Sequence, residues 1–123
     1  MTYVLDTSAI IKALKHPELA DKLVKITDAP LIMTSVCKQE LLSVRSDKEQ
    51  YIIKQMLDTM QILDHTSKAA ECGAEIYKEL CKKGTLVNEF EILIAGICKA
   101  NNAHLITFDK DFSKIKGLQV TVL

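Results

Sequence analysis

A chain of 123 residues is the size of one ordinary domain with a single core. At 48% hydrophobic and 26% charged it lies close to globular averages, which argues against disorder. Sixteen basic residues balance sixteen acidic ones, and that neutrality argues against a module gripping nucleic acid by charge alone.

Trp is absent and only six residues are Phe or Tyr, so Leu, Ile, Val and Ala must fill the core. Tyr3-Val4-Leu5-Asp6-Thr7 reads as a short apolar strand ending in polar residues. Ser8 to Leu14 then reads as helix, capped by Thr7 or Ser8. Pro17 opens a second helix, Glu18 to Ile26, with Leu19, Leu23 and Ile26 on one face. Pro30 breaks it, and Leu31 to Thr34 gives the second strand. Ser35 is a good cap for a helix running to about Arg45, with Val36, Leu41 and Leu42 available for burial. Asp47 caps the next helix, where Ile52, Ile53, Met56, Leu57 and Met60 recur at helical spacing. Gln61 to Asp64 is a third strand, and Thr66 or Ser67 starts a long helix to Lys83, stopped by Gly84. A further helix spans Asn88 to Ala100 and ends at Asn101-Asn102; His104 to Thr107 and Leu118 to Val122 complete the strands. Strands alternate with helices and no hairpin signal joins two strands, so the pattern predicts βαβ units and a mostly parallel sheet covered on both faces.

Cys37, Cys72, Cys81 and Cys98 form no closely spaced pair, and His16, His65 and His104 are scattered. Zinc and redox motifs need tighter spacing, so buried, reduced thiols acting as small hydrophobes are expected. The chain shows no signal-peptide pattern and no apolar run of about 20 residues, which predicts a cytoplasmic protein without a membrane span. Arg45 is the only arginine, so base readout by several bidentate guanidinium groups is not available.

The chemistry lies in the carboxylates. Asp6 ends the first strand, where open α/β sheets place their sites. Asp109 and Asp111 follow the fourth strand at the same edge, and Glu40 falls early in the helix after the second strand. Glu91 lies early in its helix, with Ile94, Ala95 and Cys98 three, four and seven residues on, so it sits on or beside the buried face. Glu89 points elsewhere. Each residue has an ordinary structural reading. Asp6 would cap a helix, Asp109 and Asp111 would cap the turn toward Phe112, and an early helical Glu favours the dipole. Convergence shifts the balance, because two carboxylates about 4 Å apart repel by roughly 4 kcal/mol at an effective dielectric near 20. Four at one sheet edge call for protons or a cation. Oxygen-only ligands suit Mg²⁺ or Mn²⁺, which can activate water, neutralise a phosphate and stabilise a leaving alkoxide.

Four pieces in order, Val4 to Ser8, Ser35 to Leu42, Glu91 to Ala95 and Leu105 to Phe112, together resemble a PIN domain. The resemblance is closest to the VapC-type toxins of prokaryotic toxin–antitoxin pairs, and it covers essentially the whole chain through Gly117-Leu118-Gln119-Val120. It implies a single PIN-like domain over residues 1–123, a three-layer α/β/α fold with a mostly parallel sheet of about five strands. The implied activity is that of an endoribonuclease dependent on Mg²⁺ or Mn²⁺. Asp6, Glu40, Glu91 and Asp109 would occupy the family's four acidic, metal-holding positions, with Ser8 and Thr107 supporting them through their hydroxyls. The third position is usually Asp, whereas Glu91 stands here, and Asp111 is an alternative to Asp109 for the fourth. The implied partners are an RNA substrate and a small antitoxin laying an apolar or basic segment across the acidic cleft. A second copy of the chain is also implied; the apolar faces of the helices from Ser8 and Asp47 are candidates for that contact, and core burial explains them equally well. A housekeeping RNase of RNA processing and an inactive PIN-like interaction module are the alternatives within the family. A haloacid-dehalogenase-type phosphatase, with Asp6 as nucleophile, would carry a second Asp where Ser8 stands.

Overall fold

The computed structural model describes residues 1–123 and resolves the alternation into five strands and six helices. In chain order these are β1 (Thr2–Leu5), α1 (Thr7–Lys15), α2 (Pro17–Thr27), β2 (Ile32–Thr34), α3 (Ser35–Leu42) and α4 (Asp47–Leu57). There follow β3 (Gln61–Leu63), α5 (Ser67–Lys82), α6 (Glu89–Ala100), β4 (Ala103–Thr107), a 3₁₀ turn (Lys110–Lys114) and β5 (Val120–Val122). The sheet order is β3-β2-β1-β4-β5 and every pairing is parallel, so the expected three-layer α/β/α architecture is present. No helix is long and apolar enough to cross a membrane.

Sheet order places the site. The chain leaves β1 on one side for β2 and β3, then crosses back to lay β4 against the other side of β1. The order therefore reverses between β1 and β4, and a crevice opens outside their carboxyl ends. Val4, Leu5, Leu105 and Ile106 are all buried, as a sheet covered on both faces requires. Their register pairs Leu5 with Ile106, and the Asp6 N–H extends the ladder to the Ile106 carbonyl at 3.2 Å. Asp6 thereby lies beside Thr107. A one-residue slip of either strand would turn its side chain to the other face of the sheet and separate the two.

Three helix caps lie nearer the N-terminus than expected. Asp6 caps α1 in place of Thr7 or Ser8, accepting from the Ala9 N–H at 3.1 Å. Thr34 caps α3 in place of Ser35, accepting from Cys37 at 3.1 Å, and Ser46 caps α4 in place of Asp47. The cause is common to them, because a cap keeps extended backbone while its carbonyl already serves the helix. The residue closing β1 or β2 can therefore do both jobs with no loop between. Thr66 and Asn88 cap α5 and α6, within the expected choices.

Burial also corrects several expectations. Ile26, Leu42 and Ile52 are exposed, while Thr27 is buried in α2 with its hydroxyl donating to the Leu23 carbonyl at 3.0 Å. All four cysteines are unpaired, but only Cys37 and Cys98 are buried; Cys72 is half-buried and Cys81 exposed. Burial pushes the Cys98 thiol up to about 12 and raises Cys37 as well. Those two thiols are inert packing groups, as expected of small hydrophobes.

Candidate active site

Asp6 is only 5% exposed, and its charge is met by three donors. The Ser8 hydroxyl donates to Oδ1 at 2.7 Å alongside the Ala9 N–H, and the Thr107 hydroxyl donates to Oδ2 at 2.6 Å. Thr107 Oγ1 accepts in turn from the Asp109 N–H at 2.9 Å, and Ser8 Oγ accepts from the Phe108 N–H at 3.1 Å. Both hydroxyls thus tie the end of β1 to the segment leaving β4. The capping reading of Asp6 is correct, yet it leaves Oδ2 a free lone pair toward the crevice.

Glu40 reaches the same crevice from α3 and is held there by the Thr7 hydroxyl, which donates to its Oε1 at 3.0 Å. Thr7 was expected as a cap, so this role is a correction. The signal available was a hydroxyl next to Asp6 at the start of a helix, with nothing to say which carboxylate it meets. Thr7→Val should keep the fold and loosen Glu40, weakening any binding of Mn²⁺ in this crevice about 10-fold, as removal of an orienting partner typically does. Calorimetry in which Thr7→Val matches the parent chain would discard that role.

Asp109 follows β4 and caps the 3₁₀ turn, its Oδ1 accepting from the Asp111 N–H at 2.9 Å. Carboxylate oxygens of Glu91, Asp109 and Asp111 lie within 4.8 Å of one another. Asp111 is ion-paired with Lys114 at 2.8 Å, whereas Asp109 lines the crevice. Glu91 has a buried Oε2 with no hydrogen-bond partner. Burial first, then Asp109 and Asp111, push its carboxyl up to about 7, against a smaller opposing effect of the Asn88 backbone. Two ionised carboxylates hold no donor, so Glu91 and Asp109 bond to each other only when they share a proton.

The crevice is a cleft of about 340 Å³ whose lining includes Asp6, Glu40, Glu91 and Asp109 together, with Thr7 and Ser8 between them. Thr107 lies beneath it, fully buried. Asn88 and Phe90, which sequence reasoning did not single out, also line it. No Lys, Arg or His lines this cleft, and none of its four carboxylates takes part in an ion pair. Charges so gathered are untenable without protons or a counter-cation. An all-oxygen donor set with an unpartnered, buried Glu91 oxygen fits Mg²⁺ or Mn²⁺.

The PIN-domain family model matches residues 3–118. The chain is 28% identical to the ribonuclease VapC2 of Rickettsia felis, over 96% of its own length and 95% of that protein's. It is 23% identical to the tRNA(fMet)-specific endonuclease VapC of Salmonella typhimurium, over 98% and 96% of the two lengths. In three dimensions it is similar to a chain of the R. felis VapBC2 complex bound to a DNA fragment from its promoter. There the TM-score is 0.90 at 26% identity, covering 100% of this chain and 99% of that one.

Proposed function

We propose that this chain, which belongs to the PIN-domain family, hydrolyses RNA phosphodiester bonds with Mg²⁺ or Mn²⁺ as the toxin of a VapBC-type toxin–antitoxin pair. The observation that carries the reading is the cleft at the strand-order reversal, lined by four carboxylates and by no Lys, Arg or His. The substrate class comes from the relatives, named for ribonuclease and for tRNA(fMet)-specific endonuclease activity. An antitoxin partner is supported by the VapBC2 complex that the fold resembles. A homodimer is part of the proposal, with Leu14 and Ile52 as exposed apolar residues on the two helices expected to meet a second copy.

Asp6, Glu40, Glu91 and Asp109 are the residues that would hold the cation. The chemistry such an ion would supply when bound is neutralisation of the scissile phosphate and activation of water for in-line attack. The chain's own contribution is orientation. Asp6 is aimed by Ser8, Ala9 and Thr107, and Glu40 by Thr7, so two carboxylates face the cleft with little freedom left to lose. The Ser8 and Thr7 hydroxyls orient Asp6 and Glu40 by donating to them, and no histidine or lysine lines the cleft. The proposed mechanism therefore assigns the nucleophile to water and gives these hydroxyls an orienting role. The test is incubation of the purified chain with RNA in Mn²⁺, in EDTA, and in EDTA followed by excess Mn²⁺. Cleavage should stop in EDTA and return with the ion; cleavage indifferent to EDTA overturns the reading.

Glu91 adds a pH dependence. Its raised carboxyl means that the ion-free protein keeps a proton there up to about pH 7. The folded state then binds more protons than the unfolded one between the ordinary carboxylate range and about 7. That contribution to stability is complete below the ordinary range and is lost as pH rises through about 7. Cation binding must expel the proton, so the sign for affinity is the reverse. Mn²⁺ affinity measured by calorimetry should rise as pH approaches about 7 and level off above it, and Glu91→Gln should flatten the curve. A parent chain with pH-independent affinity between 5.5 and 8 would remove Glu91 from the ligand set.

A further inference from the structure

Phe90 is 49% exposed and lines the acidic cleft. The chain's other two phenylalanines are accounted for by packing. Phe112 is buried in the core, and Phe108 carries the Lys12 ammonium 4.1 Å from its ring centroid. Phe90 has no aromatic or cationic partner. It stands in the first turn of α6, one residue before Glu91, and its backbone N–H is pinned by Asn88 Oδ1 at 2.8 Å. The backbone that carries the ring is therefore fixed beside the cleft, and about half of the residue's surface is open to solvent.

The cleft offers no positive side chain, and the chain has no net charge. A polyanion brought among four carboxylates gains affinity there from the ion they are proposed to hold, and any further affinity must come from contacts other than lysine or arginine. Stacking of a nucleobase on an aromatic ring supplies affinity of that kind, because every base has a π-face whatever the local charge. We propose that Phe90 is a positioning residue for the substrate, stacking on a nucleobase beside the scissile phosphate. The inference rests on the ribonuclease reading above and adds a substrate requirement. A base can reach the ring only when it is splayed out of a helix, so the nucleotide that stacks there is unpaired.

The chain has no tryptophan, so Phe90→Trp in an Asp6→Asn background is a single-tryptophan reporter. A single-stranded RNA oligonucleotide should quench it, and a blunt duplex of the same sequence should not. With Asp6 intact, Phe90→Ala should raise KM for single-stranded RNA roughly 5- to 100-fold, the range for loss of one stacked base. The kcat should fall less, Mn²⁺ affinity should be unchanged, and Phe90→Tyr should restore KM. An abasic nucleotide at the stacked position should raise KM for the parent chain and add nothing to Phe90→Ala. Unchanged KM in Phe90→Ala, with Asp6→Asn silent, overturns the stacking role and leaves the ribonuclease reading standing. Full cleavage by Asp6→Asn overturns that reading and this inference with it. If Phe90→Ala fails to fold, equal quenching of the reporter by single strand and duplex overturns the proposal. Normal cleavage by Phe90→Ala with loss of self-association would assign the ring to a second copy instead, also against the proposal.

Discussion

If the proposed function holds, Asp6→Asn is expected to lower metal-dependent RNA cleavage by on the order of 10³-fold, since loss of a ligand forfeits much of the several kcal/mol of charge stabilisation that a bound ion would supply at the reacting phosphate. The fold should survive. The Asn carbonyl oxygen can still accept from the Ser8 hydroxyl and the Ala9 N–H, so the α1 cap persists. The amide nitrogen then faces Thr107 Oγ1, which at present donates to Asp6 at 2.6 Å and accepts from Asp109. That hydroxyl must turn from donor to acceptor, at a cost of about 1–2 kcal/mol for one charge-assisted bond lost. Removing one of four neighbouring negative charges offsets part of it. Cleavage in Mn²⁺ and thermal melting of the same preparation separate the two effects. Parental cleavage would dismiss Asp6 as a ligand, and collapse of the fold would make it a structural cap before anything else.

How much of this was legible in the sequence can be traced residue by residue. The parallel sheet was legible because Val4-Leu5 and Leu105-Ile106 are apolar on both faces and no turn chemistry joins adjacent strands. The face of Glu91 was legible because Ile94, Ala95 and Cys98 repeat at helical spacing, and all three are buried. What depends on long-range register was not. The Thr7–Glu40 hydrogen bond joins residues 33 positions apart, and the Thr107–Asp6 bond 101 apart. Spacing alone contains neither. The choice between Asp109 and Asp111 was invisible for a related reason. Both reach Glu91, and they differ in where the 3₁₀ turn aims them, one along the cleft and the other at Lys114. Phe90 escaped notice because an aromatic in an apolar helix reads as core until its exposure is known.

The largest effect on stability is expected at Gly96, in the contact between α5 and α6. A Cβ built there would lie 2.6 Å from the Ala69 carbonyl oxygen and 3.1 Å from the Gly73 Cα and nitrogen. These are backbone atoms of the facing helix, so no side-chain rotation relieves the clash and the helices must separate. Gly96→Ala should cost about 3 kcal/mol, the upper part of the range for overpacking, and lower Tm by roughly 10–15 °C. Gly73 faces the same contact from α5, but a Cβ there meets only Ile92 atoms at 3.8 and 3.9 Å, ordinary van der Waals distance. Gly73→Ala should therefore stabilise by about 0.5–1 kcal/mol, because alanine loses less chain entropy in a helix. Opposite signs from one chemical change in one helix pair cannot come from helix propensity, which favours alanine at both positions. Gly96→Ala should also depress Mn²⁺ affinity below its melting temperature, since Glu91 rides on α6 about one and a half turns before Gly96. Equal stabilisation by both substitutions would mean that α5 and α6 are not held this close, and the placement of Glu91 in the cleft would lose its structural basis.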